Sequence, residues 1–150
     1  MINPYLLKYS DSTNEASKYN NTGAAKYYLN DFNGAISAYN KAIELKPDYD
    51  KAYFNRGVAK SKLEDYDGAI LDYTKSIELN PEIVDAYYNR AVLKNKLEEF
   101  EGAISDFTKV IDLDSENANA YYNRAIAKSK FEDYEGAILD RDSANKLKNL

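Results

Sequence analysis

The stretch "AYYNRAIAKSKFEDYEGAILD" at 120–140 decides the architecture, because it is the third writing of one sentence. Residues 52–72 read "AYFNRGVAKSKLEDYDGAILD", agreeing at 16 of 21 positions, and residues 86–106 read "AYYNRAVLKNKLEEFEGAISD". The copies lie 34 residues apart, and a fixed period of this size marks a stacked array of one supersecondary unit. With position 1 at Ala16, Asp50, Val84 and Ala118, the chain divides into four units: 16–49, 50–83, 84–117 and 118–150. Residues 1–15 remain as an N-terminal arm whose "NPYLLKY" either stays loose or docks Tyr5, Leu6 and Leu7 on the first helix.

Each unit carries an aromatic at position 4 (Tyr19, Tyr53, Tyr87, Tyr121) and a small residue at position 8 (Gly23, Gly57, Ala91, Ala125). A second aromatic stands at position 17 (Phe32, Tyr66, Phe100, Tyr134), followed by Gly-Ala-Ile at positions 19 to 21. Apolar residues at positions 4, 8, 10 and 14 line one face of a helix A, and positions 20, 21, 24 and 28 line one face of a helix B. Pro47 and Pro81 separate successive units.

This register resembles the tetratricopeptide repeat over residues 16–150, with Arg at position 7 and Lys at position 11 as departures from the family preference. The resemblance implies an all-α fold, a right-handed α-solenoid of four helix-turn-helix hairpins, with the A helices on a concave face.

Arg56, Arg90 and Arg124 at position 7 are matched by Asp72, Asp106 and Asp140 at position 23, and both change together in the first repeat, to Thr22 and Ala38. That joint change predicts an Arg–Asp contact between helices A and B of one unit, partly exposed and contributing roughly 1 kcal/mol or less. In the last repeat, position 24 is Arg141 and position 28 is Asn145, where earlier copies are aromatic and Ile. This polarity predicts a wettable terminal face.

On the concave face implied by the resemblance, Phe54, Tyr88 and Tyr122 stand at position 5, and Val58, Val92 and Ile126 at position 9. Beside them run Asn55, Asn89 and Asn123 at position 6, Lys62, Lys96 and Lys130 at position 13, and Lys51 at position 2. An amide offers both donor and acceptor to a peptide backbone, and aromatics supply contact area. The same Asn column also suits solvation of helix A or a bond to a neighbouring helix. The lysines answer helix dipoles whether or not a ligand exists, yet they also favour an acidic or C-terminal segment.

The resembled family's clamp for chaperone C-termini is matched at one position of five. In the first register its positions are filled by Asn20, Ala24, Asn55, Asp85 and Asn89.

Composition removes several functions. A net charge of −5 argues against a nucleic-acid partner. The absence of His and Cys excludes His- or Cys-based nucleophiles and Cys/His metal sites. No cofactor is expected, since all six glycines serve the repeat and none is left for a phosphate loop. Carboxylate pairs such as Glu98/Glu99 and Glu132/Asp133 fall on turns and imply no catalytic pocket. Apolar runs are short, so no membrane span is expected, and a cytoplasmic location is the default. The expectation is a non-catalytic module binding an extended peptide segment of a partner protein. The alternative is a self-associating scaffold, assembling weakly through repeat edges or the N-terminal arm.

Overall fold

The computed structural model describes residues 4–148, with side chains from residue 14 onward. Its elements are all helical: α1 (Pro4–Tyr28), α2 (Phe32–Leu45), α3 (Asp50–Lys62), α4 (Tyr66–Leu79), α5 (Val84–Lys96), α6 (Phe100–Leu113), α7 (Ala118–Lys130) and α8 (Tyr134–Lys148). The odd helices from α3 onward occupy positions 1 to 13 of their repeats, and the even helices begin at position 17. The chain forms two compact units, 1–81 and 82–150, each holding two hairpins. Within each unit every helix packs on its chain neighbours, and the two A helices also touch (α1 with α3, α5 with α7).

The boundary expected between arm and first repeat has no counterpart in the backbone. Helix α1 runs unbroken from Pro4, where a missing N–H costs nothing in the first turn. The packing of Tyr5, Leu6 and Leu7 lies outside the residues whose side chains are described.

Each hairpin turn is built the same way. In the second repeat Glu64 adopts a left-handed conformation (φ 63°), and its N–H donates to the Ser61 carbonyl at 3.2 Å. Asp65 N–H then donates to the Lys60 carbonyl at 3.1 Å, closing the end of α3. The same residue opens α4, because Asp65 Oδ1 accepts from Gly68 N–H at 3.0 Å. Asp31 and Asp133 cap α2 and α8 through Gly34 and Gly136 at 2.8 and 2.9 Å. The third repeat has Glu99 at this place, and its longer side chain makes no capping hydrogen bond. A Cβ on Gly68 would fall on the Asp65 carboxylate, whereas one on Gly102 would meet only the Lys94 side chain, with Cδ at 3.1 Å.

The interior is small residues on helix A facing large ones on helix B. Gly57 lies against the Tyr73 ring, where a Cβ would sit 2.9 Å from a ring carbon. In the second unit, Phe107 is fully buried with Ala91, Ala103, Val110, Ala120 and Ala127. Burial of this kind contributes about 25 cal/mol per Å2 of apolar surface.

The Arg–Asp contact is intrahairpin, as the paired changes predict, but its character differs. Asp72, Asp106 and Asp140 are each only 4% exposed, so this is a buried carboxylate rather than a surface pair. The guanidinium fork is bidentate: Arg90 reaches Asp106 at 2.8 and 2.6 Å. A second cation joins it, with Lys60, Lys94 and Lys128 at 2.9, 2.8 and 3.0 Å from the same carboxylates. The Arg also lies 5.4 to 5.7 Å from the position-4 ring, Tyr53, Tyr87 or Tyr121. Its remaining nitrogen reaches back to helix B of the preceding repeat, from Arg56 to Asn40 at 2.7 Å and from Arg124 to Thr108 at 2.9 Å. Arg56 and Arg124 therefore each tie three helices. In the first repeat the intrahairpin partner is Ala38, and Thr22 stands in place of the Arg.

Burial pushes the Asp140 carboxyl up, but the hydrogen bonds and charges of Arg124 and Lys128 outweigh that effect and hold it below the usual carboxylate range.

Candidate functional site: the helix-A strip

Positions 5, 9 and 13 are four residues apart, so on an α-helix they form one stripe. In the first unit, α3 presents Phe54 and Val58 half-buried, and Lys51 and Lys62 exposed. Phe54 leans on Tyr73 with ring centroids 5.8 Å apart. In the second unit, α5 presents Tyr88 half-buried against Phe107 at 5.7 Å, Val92 at 41% exposure and Lys96 exposed. Helix α7 presents Tyr122, Ile126 and Lys130, all exposed, with Lys148 Nζ 5.2 Å from the Tyr122 ring centroid. The strip is accessible within each unit, and its aromatic rings double as packing against helix B.

The Asn column divides. Asn55 Nδ2 donates to Asn20 Oδ1 at 3.0 Å, and Asn123 Nδ2 donates to the Tyr88 hydroxyl at 2.8 Å and to the Asn119 carbonyl at 3.0 Å. Within each unit, the position-6 amide thus holds the position-5 side chain of the preceding A helix. Burial pushes the Tyr88 phenol up while the Asn123 bond lowers it, leaving a net rise, so at neutral pH it stays protonated and can donate outward. The side-chain amide of Asn89, half-buried, makes no hydrogen bond among the described residues. Asn55 and Asn123 position the strip, with Oδ1 of each left to accept.

The last hairpin departs from expectation. Arg141 and Asn145 are exposed, as a wettable end requires, but Tyr134 and Ile138 are each 62% exposed and Leu139 is also open. Between α7 and α8 lies a hollow of about 320 Å3, lined by Tyr122, Ala125, Ile126, Lys130, Ile138 and Arg141 among others. Tyr73 and Phe107 fill the corresponding place in their repeats, so the hollow is where an aromatic at position 24 is missing. The change to Arg141 was the sequence signal for it. Among the described residues no acidic cluster could hold a metal, and no helix is long and apolar enough to cross a membrane.

Known proteins agree with the fold. The TPR repeat model matches residues 23–63, and the tetratricopeptide repeat model matches 50–83 and 84–117. The chain belongs to the tetratricopeptide repeat family, which is generally a protein-interaction fold. No curated protein sequence matches it. Among solved structures, MamA superposes with a TM-score of 0.87 at 22% identity, over 91% of this chain and 80% of that one. A MamA fragment from Desulfovibrio magneticus RS-1 gives 0.83 at 21% identity, over 91% and 77%. The first TPR of Spaghetti (RPAP3), bound to the HSP90 peptide SRMEEVD, gives 0.77 at 22% identity, over 80% and 95%.

Proposed function

We propose that this protein is a non-catalytic interaction module that binds an extended peptide segment of a partner protein along the face of its A helices. The observation that carries the reading is the accessible stripe of α5 and α7, with Val92, Ile126 and the unengaged Asn89 amide beside Tyr88. Apolar and aromatic side chains give contact area, and Asn89 supplies a donor and an acceptor for a peptide backbone. Exposed Lys62, Lys96 and Lys130 favour an acidic segment or a free C-terminus. The RPAP3 domain holds an HSP90 peptide, but that ligand does not carry over, because only one of five clamp positions is matched here. An affinity near 1 μM, roughly −8 kcal/mol, suits one short segment.

The test is a peptide array probed with the full chain, followed by calorimetry on the selected peptide. Asn89→Ala combined with Val92→Ser is the right variant, since Asn55 and Asn123 also hold helices together. Loss of binding with helicity unchanged supports the proposal, and unchanged affinity refutes it. A self-associating scaffold is the second reading, favoured by the exposed Tyr134, Ile138 and Leu139. Light-scattering mass at high concentration decides it, and a monomer rules it out.

A further inference from the structure

The hollow between α7 and α8 has a composition unlike the rest of this acidic chain. Its floor and walls are apolar, from Ala125, Ala137, Ile126 and Ile138. The charged side chains lining it are both cationic, Lys130 and Arg141, and neither has an ion-pair partner among the described residues. Of the two carboxylates that flank Arg141 in sequence, Asp140 is held by Arg124 and Lys128, and Asp142 does not line the hollow. At about 320 Å3 the space is at the small end of the ~300–1,000 Å3 range of ligand clefts, which suits one inserted side chain and its flanks. The repeat itself shows what fits. In the third repeat the equivalent space over Ala91 holds a phenyl ring, Phe107, packed edge-on to Tyr88, and Tyr122 is left here without such a partner ring.

We propose that this hollow is a docking site for a partner segment carrying an aromatic residue flanked by carboxylates: the ring takes the vacant position-24 place beside Tyr122, Ile126 and Ile138, and the carboxylates meet Lys130 and Arg141. The inference deepens the function proposed above, sharing Tyr122, Ile126 and Lys130 with it, and it adds helix-B residues that the A-helix strip does not include. Charge complementarity selects the occupant. An apolar or basic segment would leave two cations facing it unpaired, at a cost once they are desolvated.

The experiment uses the full chain and a fluorescently labelled peptide, Gly-Asp-Glu-Phe-Glu-Asp-Gly, followed by anisotropy. Two control peptides replace the phenylalanine by glycine, or the four acids by their amides. Arg141→Phe rebuilds the third-repeat arrangement and fills the hollow. It is expected to weaken binding at least tenfold with the melting temperature unchanged or raised, and Arg141→Gln to weaken it several-fold with reduced salt dependence. Both control peptides are expected to bind at least tenfold more weakly. Should Arg141→Phe fold poorly, Ile138→Ser, one turn away on α8, provides the same reading by making the apolar lining polar. No binding of the labelled peptide to the wild type, equal binding by the glycine control, or unchanged affinity in Arg141→Phe (or in Ile138→Ser where that replaces it) would each overturn the proposal. Asn89→Ala with Val92→Ser separates the two readings. If that variant alone loses the peptide, the A-helix strip stands and the hollow falls; if the Arg141 and Ile138 variants alone lose it, the hollow stands without the strip. A dimer that Arg141→Phe converts to monomer would also overturn it, assigning the hollow to a second copy of the chain.

Discussion

Replacing Glu99 by Asp should stabilise the protein, although it removes a methylene from an exposed side chain and changes no charge. Three of the four hairpins use an Asp at this place, bonded at 2.8 to 3.0 Å to the N–H three residues on. Glu99 makes no such bond, so the Gly102 N–H in the first turn of α6 lacks the side-chain cap its counterparts have. A good N-cap is worth about 1 kcal/mol, within a range of roughly 0.5–2. Because Glu99 already supplies the charge that the helix dipole favours, only the hydrogen bond is gained, and the expected increase is ~0.5–1 kcal/mol. Gly102→Ala is the internal control. In the present chain its Cβ meets only the Lys94 stem, with Cδ at 3.1 Å, which must shift slightly while keeping its bond to Asp106, so the gain in helix propensity should stay below ~1 kcal/mol. Once the Glu99→Asp change brings a carboxylate into that space, as Asp65 does beside Gly68, the two gains should not add. Urea unfolding followed by circular dichroism, on both single variants and the double, measures the coupling. Additive gains would refute the capping geometry, and a neutral Glu99→Asp would refute the claim that the cap is missing.

Three further outcomes follow from local geometry. Glu64, Glu98 and Glu132 sit at φ of 63° to 66°, a region that suits Gly or Asn, so Glu132→Gly should raise stability by ~0.5–1 kcal/mol in the same unfolding assay. Ser76 is fully buried with its hydroxyl unbonded, and Ala42 and Ala144 fill its place in other repeats, so Ser76→Ala should gain ~1 kcal/mol. Asp140→Asn leaves Arg124 and Lys128 without their carboxylate and should cost ~2–3 kcal/mol, below the roughly 3–5 of a fully buried pair because both cations are partly solvated. Since the Asp140 carboxyl lies below its unfolded value, its contribution is present above about pH 4 and lost as pH falls through the folded value. Acid titration of stability should accordingly be shallower in the Asn variant than in the wild type.

The fold was legible because repetition supplies four readings of one unit, and each B helix begins at the recurring position-17 aromatic. The Arg–Asp pairing could be read because Thr22 and Ala38 change together. Its third member could not: Lys26 persists in the first repeat after the Asp has gone, turning instead to Asp31 at 3.2 Å, so the covariation that exposed the Arg conceals the Lys. Burial of the carboxylate was missed for the same reason, since one cation suggested a surface pair and two explain how the charge tolerates the interior. The length of α1 had a signal in Pro4, a residue suited to the first turn of a helix, overshadowed by the repeat boundary at Ala16. The Asn column was divided by its neighbours: Asn20 and Tyr88 carry atoms that accept a hydrogen bond, and no periodicity reports that. At the last hairpin, Tyr134 and Ile138 match residues that are half-buried in earlier repeats, such as Tyr66 and Ile70, so identical letters gave no sign of becoming exposed.

The working surface itself can be footprinted by titrating the 15N-labelled chain with the array-selected peptide and following amide chemical shifts. The account predicts that the largest changes fall on α3, α5 and α7, centred on residues 88–96 and 122–130. Changes confined to the outward residues of α4 and α6, such as Leu71 and Ser105, with the A helices silent, would contradict it.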